Sequence, residues 1–271
     1  MNNKTNYGGF LAGLILTILG LCMTVYGMTV RSAAGYETDA VIENIFIFGM
    51  ILTVAGAVIL IAGLAAARRK TVTPPDAATL VKAALLAALC YIGFQFFRFD
   101  IPVGTEKTAI HFGNAFCVLA ALLLGGVWGG MAGAVGMTLA DLTSGYATSA
   151  PKTFLLKLCI GLIVGLVAHR IAHLGREHTR AYIVRWTVIA SACGMVFNLF
   201  ADPIVGYFYQ NYLLGVPQEL AGALAKIGAA TTAVNAATSV LIASVLYCAL
   251  RPVLLKAGLL GRTPGHKAAR T

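Results

Sequence analysis

Charged residues are scarce in this chain. They make up 11% of its 271 residues, and 59% are hydrophobic, whereas a soluble domain has about 25% charged residues. This composition excludes an ordinary soluble domain and predicts an integral membrane protein whose core is built against lipid. The formal charge of +10 could indicate a nucleic-acid partner. The basic residues are spread over separate loops, however, without a stripe of interleaved aromatics, so we expect no nucleic-acid binding.

Several motifs that would indicate metal binding, ATP hydrolysis or enzyme activity are also missing. The six cysteines lie singly in apolar stretches, without a CxxC pair or a spacing suited to zinc, and we interpret them as packing residues. No Walker motif occurs, so the chain by itself cannot be a P-loop ATP-driven motor. His169 and His173 stand at i and i+4 but without an HExxH pattern, in a basic loop. We therefore predict no metal, no cofactor and no enzyme activity; a membrane enzyme with these two histidines as metal ligands is an alternative.

Long apolar runs dominate what is present. A membrane span needs about 20 mostly apolar residues, and eight segments qualify: 8–30, 41–67, 79–97, 109–124, 127–144, 153–169, 182–209 and 226–250. The fourth and fifth are separated by Gly125-Gly126, which predicts a tight hairpin. The first run is longer than the apolar region of a signal peptide, so we expect an uncleaved helix.

The distribution of basic residues predicts the orientation. With both termini in the cytoplasm, the large majority of the 20 Lys and Arg residues fall on the inner side, as the positive-inside rule requires. We therefore expect a multi-pass protein of the cell membrane.

One boundary divides the chain. Arg68-Arg69-Lys70 is followed closely by Pro74-Pro75, a basic stop and then a stiff link. This pattern predicts a two-helix N-terminal extension over 1–70, a linker over 71–78, a six-helix unit over 79–251 and a basic cytoplasmic tail over 252–271.

Polar residues inside the six-helix unit gather toward its predicted outer end. Such groups are costly in a bilayer and usually line a cavity or pathway. Three explanations remain open: a cup for a small polar ligand, a proton or ion relay, or a structural network in which Lys157 pairs with Asp141 or Asp202. Because the set lies at one depth, we favour the cup. Its candidate ligand residues are His111, Asn114, Asp141, Tyr146, Lys157, Asn198, Asp202 and Asn235.

Small residues at helical spacing indicate close helix packing. The glycines of 125–136 repeat at GxxxG spacing, which lets another helix approach closely in the membrane. Ala83 with Ala87, and Ala84 with Ala88, have the same i, i+4 spacing. Packing within the subunit explains these alanines from spacing alone, and a docking face for a partner protein is the alternative.

Four runs resemble a known family, the substrate-specific S components of energy-coupling factor (ECF) vitamin transporters. They are His111-Phe112-Gly113-Asn114, the apolar run 120–125, Ala140-Asp141-Leu142-Thr143-Ser144-Gly145-Tyr146 and Ala150-Pro151-Lys152-Thr153-Phe154-Leu155-Leu156-Lys157. The resemblance covers about 79–251, and the pattern is most similar to members for hydroxymethylpyrimidine-type thiamine precursors or pyridoxine. It implies an all-α, six-helix S-component bundle, here preceded by two extra transmembrane helices.

The same resemblance implies the function and the partners. The S component would hold a vitamin or precursor near the outer surface and join a transmembrane T subunit and two ATPase subunits. Ala83, Ala84, Ala87 and Ala88 would form the docking face for the T subunit. We expect residues 98–108 to act as a lid over the ligand, with Gly104 giving it freedom. The rival hypothesis is an ion-coupled secondary transporter with Asp141, Lys157 and Asp202 as its relay.

Overall fold

The computed structural model describes residues 77–260, together with five isolated helical positions near the N-terminus, Ile15, Leu16, Leu19, Met23 and Tyr26. The two predicted N-terminal spans otherwise lie outside the described residues, as do most of the predicted linker and the last part of the tail. The chain divides into two units, and everything below concerns the unit that holds the six-helix bundle.

The described residues of this unit form six helices and one β-hairpin. In chain order they are α1 (Ala77–Gln95), β1 (Arg98–Val103), β2 (Glu106–His111), α2 (Gly113–Leu124), α3 (Gly126–Thr143), α4 (Ala150–Gly165), α5 (Arg180–Phe208) and α6 (Gln218–Lys256). A 3-10 turn (Ala147–Ser149) precedes α4, and π-helical turns extend α4 and α5 over Leu166–Ile171 and Tyr209–Leu213. The prediction of an all-α membrane protein is confirmed.

The bundle has the apolar surface of a membrane protein. Four of its helical segments are long and apolar enough to cross a membrane: Ala77–Gln95, Ala147–Ile171, Arg180–Leu213 and Gln218–Lys256. Large side chains such as Leu85, Phe200 and Leu241 are more than half exposed, which suits contact with lipid and not with water.

Helix α2 is the centre of the bundle. It contacts α1, α3, α4 and α6, and nine of its 12 residues are buried. At 1.5 Å per residue it is about 18 Å long, well short of the roughly 30 Å thickness of the hydrocarbon core. The predicted span 109–124 is wrong at its start. Residues up to His111 form β2, and the helix begins only at Gly113. The shortness of α2 leaves space at one end of the bundle.

Glycines of α3 allow the close packing that their spacing predicts. A Cβ at Gly129 would collide with the backbone of Ala121 in α2, and one at Gly136 would collide with the carbonyl of Ala87 in α1. A third glycine, Gly130, lies against α4, where a Cβ would be 3.0 Å from the Leu158 carbonyl oxygen. Helix α3 thus packs closely against α1, α2 and α4 at positions occupied by glycine.

The connection between α1 and α2 is an ordered β-hairpin and not an irregular loop. β1 and β2 pair antiparallel from Arg98↔His111 to Val103↔Glu106. Gly104 has φ 61°, a left-handed conformation that glycine adopts without strain. The predicted lid segment 98–108 is this hairpin, and β2 runs from its tip down to the buried end of α2.

Candidate functional site

A cavity of about 120 Å³ lies beneath the hairpin, between the ends of the helices. The hairpin contributes one side of it, and helices α1–α6 contribute the others. The structure brings all eight sequence-predicted ligand residues to the lining of this cavity: His111, Asn114, Asp141, Tyr146, Lys157, Asn198, Asp202 and Asn235. The sequence interpretation missed several further lining residues: Lys107, Thr108, Met137, Ser149, Lys152, Thr153, Gln210, Thr231 and Thr232.

Asp202 has protein partners for both of its carboxylate oxygens. Oδ1 lies 3.0 Å from Nζ of Lys152 in an ion pair, and Oδ2 accepts a hydrogen bond of 3.0 Å from the Thr232 hydroxyl. The carboxylate therefore ties α4, α5 and α6 together. Of the two predicted pairings of Lys157, the one with Asp202 is replaced by this pair with Lys152.

Asn235 also has partners for both polar atoms of its side chain. Its Oδ1 accepts from the backbone N–H of His111 at 2.9 Å, and its Nδ2 donates to the carbonyl of Ala109 at 3.0 Å. The amide thus pairs with β2 as a neighbouring strand would. Next to it, the hydroxyl oxygens of Thr108 and Thr231 lie 3.2 Å apart. α6 therefore holds the hairpin over the cavity.

A second set of contacts joins the hairpin to the segment between α3 and α4. The Tyr146 hydroxyl donates to Asp100 at 2.9 Å, and Arg98 forms an ion pair with the same carboxylate at 2.8 Å. The Lys107 ammonium lies 3.2 Å from the Ser144 carbonyl oxygen and 4.5 Å from the centre of the Tyr146 ring. Burial, and then the neighbouring Asp100 carboxylate, raise the pKa of Tyr146, so the phenol stays protonated and remains a donor.

Aromatic rings form one wall of the cavity. The rings of Phe94 and His111 are 4.7 Å apart between centres, and those of Phe94 and Tyr146 are 5.7 Å apart and nearly perpendicular. Phe94 is buried. These faces can hold a flat ring by stacking or edge contact.

Four buried polar atoms that belong to the cavity lining have no hydrogen-bond partner among the described residues. They are His111 Nδ1, Asn114 Oδ1, Asp141 Oδ2 and Asn198 Oδ1. A buried polar atom without a partner is destabilising by about 1–3 kcal/mol, so a cluster of four around one cavity is unusual. Folding alone does not explain these residue types here.

Lys157 also lines this cavity, and its ammonium group forms no ion pair among the described residues. Its side chain is buried, and within the described part of the chain no carboxylate oxygen lies within the 4.0 Å of an ion pair. The predicted pairing of Lys157 with Asp141 is therefore not formed. The cavity presents a carboxylate oxygen and an ammonium, both buried and neither neutralised by direct contact.

The two histidines of the metal alternative have other contacts. Nε2 of His169 lies 3.0 Å from the Leu122 carbonyl and 3.3 Å from that of Ala121, at the far end of α2. His173 Nδ1 lies 3.2 Å from the carbonyl of His169. Over residues 77–260, no group of three or more His, Cys, Asp or Glu side chains is placed to hold a metal ion.

The alanine pairs of α1 separate into two roles. Ala83 and Ala87 are partly buried and pack against a cluster that contains Leu86, as the intrasubunit interpretation predicts. Ala84 and Ala88 are exposed. Only this second pair remains available to a partner protein.

Comparison with known proteins identifies relatives of this arrangement. Residues 76–252 match the family described as "ECF-type riboflavin transporter, S component". A curated protein of Pyrococcus woesei, described as "Uncharacterized protein in gap 3'region", is 37% identical over 76 residues, which are 28% of this chain and 51% of that protein. The chain thus matches about half the length of that relative. No solved structure matches the chain.

Proposed function

Because the chain belongs to the family of ECF-type riboflavin transporter S components, we propose that its cavity captures a small, water-soluble vitamin or vitamin precursor for uptake. The family makes the chain a multi-pass membrane protein and the substrate-binding subunit of an ECF transporter. The family is one of transporter subunits and not of enzymes, and the cavity fits binding without a chemical step.

The unmatched polar atoms around the cavity carry this proposal. Asp141 offers an acceptor and Lys157 offers a donor. Both are buried, and neither is in an ion pair among the described residues, an arrangement that is unfavourable in a membrane interior. A ligand with a hydrogen-bond donor beside an acceptor would bridge the two. Nitrogen heterocycles have such an edge, with an N–H or amino group next to a carbonyl or ring nitrogen. Phe94 and Tyr146 would contact the face of the ring.

The volume of the cavity bears on the size of this ligand. At about 120 Å³ it is smaller than the roughly 300–1,000 Å³ of typical ligand pockets. With the hairpin closed, this supports a compound with one ring, such as a hydroxymethylpyrimidine-type precursor or pyridoxine, over a three-ring flavin. Riboflavin, which the family description names, is the alternative, and it would require the hairpin to move outward.

The proposal also covers the orientation in the membrane and the partner subunits. The distribution of basic residues supports an orientation with the hairpin and the cavity at the outer face and both termini in the cytoplasm. A T subunit would dock on the exposed alanines of α1, and two ATPase subunits would supply the energy. The hairpin would act as the lid that retains the ligand.

Mass spectrometry of small molecules that copurify with the detergent-solubilised protein tests the proposal directly. We expect a stoichiometric heteroaromatic vitamin or precursor. In the same preparation, thermal shifts should be measured with pyridoxine, hydroxymethylpyrimidine, thiamine and riboflavin. A shift with riboflavin alone would contradict the single-ring assignment. Absence of any ligand and any shift, together with solute uptake into liposomes that lack ATPase subunits, would favour the ion-coupled transporter instead.

A further inference from the structure

The base of the hairpin carries a group of exposed phenylalanines, which we call the phenylalanine rim: Phe96, Phe97, Phe99 and Phe112. Phe96 and Phe99 are 72% and 71% exposed, and Phe97 is 56% exposed. The rings of Phe97 and Phe112 stack with their centres 6.1 Å apart. Exposed aromatic patches of this kind mark a contact surface.

The strand pairing separates two faces of the hairpin. Paired residues of an antiparallel ladder share a face, and successive pairs alternate. The pairs Arg98↔His111 and Asp100↔Ala109 therefore share one face, and Phe99↔Ile110 points to the opposite one. The first face lies over the cavity, where the charged groups are matched by Tyr146 and by each other. The second is apolar and exposed at Phe99.

The second face is covered only near the tip of the hairpin. Val103 is buried, and Gly104 lies close to Leu220. At the base, next to the ends of α1 and α2, no such cover exists among the described residues. The exposed surface there is continuous with the apolar side of α1, where Leu85, Leu89 and Ile92 lead toward Phe96.

We propose that the phenylalanine rim is seated in the membrane leaflet at the cavity end of the bundle, so that the hairpin contacts lipid with one face and the cavity with the other. Three observations favour lipid as the occupant. The rim continues the exposed apolar surface of α1, its side chains are aromatic as is typical of the membrane–water interface, and the neighbouring charged residues Arg98 and Asp100 lie on the opposite face of the hairpin from Phe99. This inference depends on the membrane-spanning bundle and not on the identity of the ligand.

Tryptophan fluorescence in reconstituted vesicles tests this proposal. Phe99→Trp and Glu106→Trp place a reporter on the same face of the same hairpin, at its base and at its tip respectively. Both would be made in the full chain and reconstituted in phosphatidylcholine vesicles with and without brominated acyl chains. The signal from Trp128 and Trp186 would be subtracted with the unmodified protein. We expect the Phe99→Trp reporter to emit at shorter wavelength and to be quenched several-fold more by the brominated lipid than the Glu106→Trp reporter.

Two results would overturn the inference. Either the Phe99→Trp reporter is quenched by aqueous iodide as strongly as Glu106→Trp, or brominated lipid quenches the two equally. If Phe99→Trp does not fold, Phe97→Trp makes the same comparison. The measurement needs no vitamin, so its failure is distinguishable from failure of the proposed function, which vitamin binding reports.

Discussion

The side-chain oxygen of Asn235 accepts a hydrogen bond from the backbone N–H of His111 at 2.9 Å. With the second bond, from its amide nitrogen to Ala109, this one residue of α6 occupies the edge of β2 that faces away from β1. Asn235 was predicted to bind the ligand. Its contacts add a role in holding the hairpin in place, because each polar atom of the amide already forms one hydrogen bond with β2.

Replacing this amide should therefore loosen the lid. We expect Asn235→Ala to increase the ligand dissociation rate by about tenfold, because two hydrogen bonds to β2 are lost and each contributes about 0.5–1.5 kcal/mol. The measurement is stopped-flow dissociation of whichever vitamin the protein binds. Thr238→Ala is the matched control, since that hydroxyl bonds only to carbonyls of its own helix. An unchanged dissociation rate would show that Asn235 does not hold the lid.

A second prediction concerns the glycine surface of α3. Gly136→Ala would place a Cβ against the Ala87 carbonyl and 2.9 Å from Cβ of Cys90, so α1 and α3 would have to separate. Overpacking of this kind destabilises by about 1–3 kcal/mol. We expect a clearly lower midpoint of thermal unfolding in detergent.

Gly222→Ala is the control for this packing argument. Gly222 lies in α6, where an added Cβ would meet no atom of another element within 4 Å, so the helical preference for alanine should make the substitution neutral or stabilising by up to about 1 kcal/mol. Equal melting temperatures for the two variants would contradict the interpretation of the α3 glycines as packing surfaces.

The location of the site could be predicted from the sequence because depth in a membrane follows from position along a span. Polar residues near the same end of several spans must lie at similar depth, and Asn114, Asp141 and Asn198 accordingly meet at one cavity. Which of the polar side chains are paired within the protein could not be predicted in the same way. Whether Asp202 is matched depends on Lys152, which reaches it from a different helix, and spacing along the chain contains no information about that contact.

The lid shows a second limit of the sequence interpretation. The predicted segment 98–108 falls within the hairpin, but the apolar run 109–124 was taken as one span, although its first residues continue a strand. A signal for the hairpin was present in Gly104-Thr105, a two-residue connection with glycine in its first position, preceded by residues 98–101, which alternate in polarity. The long apolar run concealed it, because hydropathy alone does not distinguish a buried strand from the beginning of a helix.

Asp141 and Lys157, the two buried charged groups of the cavity that are not in an ion pair among the described residues, give a prediction about affinity. We expect Asp141→Asn and Lys157→Met each to weaken vitamin binding by about 10- to 100-fold, since a hydrogen bond to a charged group contributes about 1.5–3 kcal/mol. Isothermal titration calorimetry of the purified protein measures this. Lys226→Met is the matched control, because Lys226 is exposed on α6 and does not line the cavity. Unchanged affinity in both cavity variants would refute the assignment of these residues to the ligand.

The exposed alanines of α1 give the last prediction, which separates ligand capture from partner docking. Ala84→Leu combined with Ala88→Leu adds bulk to the exposed side of α1, whereas the buried contacts of Ala83 and Ala87 are retained. Because small residues allow close approach between helices in the membrane, we expect this variant to lose copurification with the T and ATPase subunits and to keep its vitamin affinity. Ala249→Leu, at an exposed position of α6, controls for bulk added elsewhere. If the double variant still assembles with its partners, the docking surface lies on another face of the bundle.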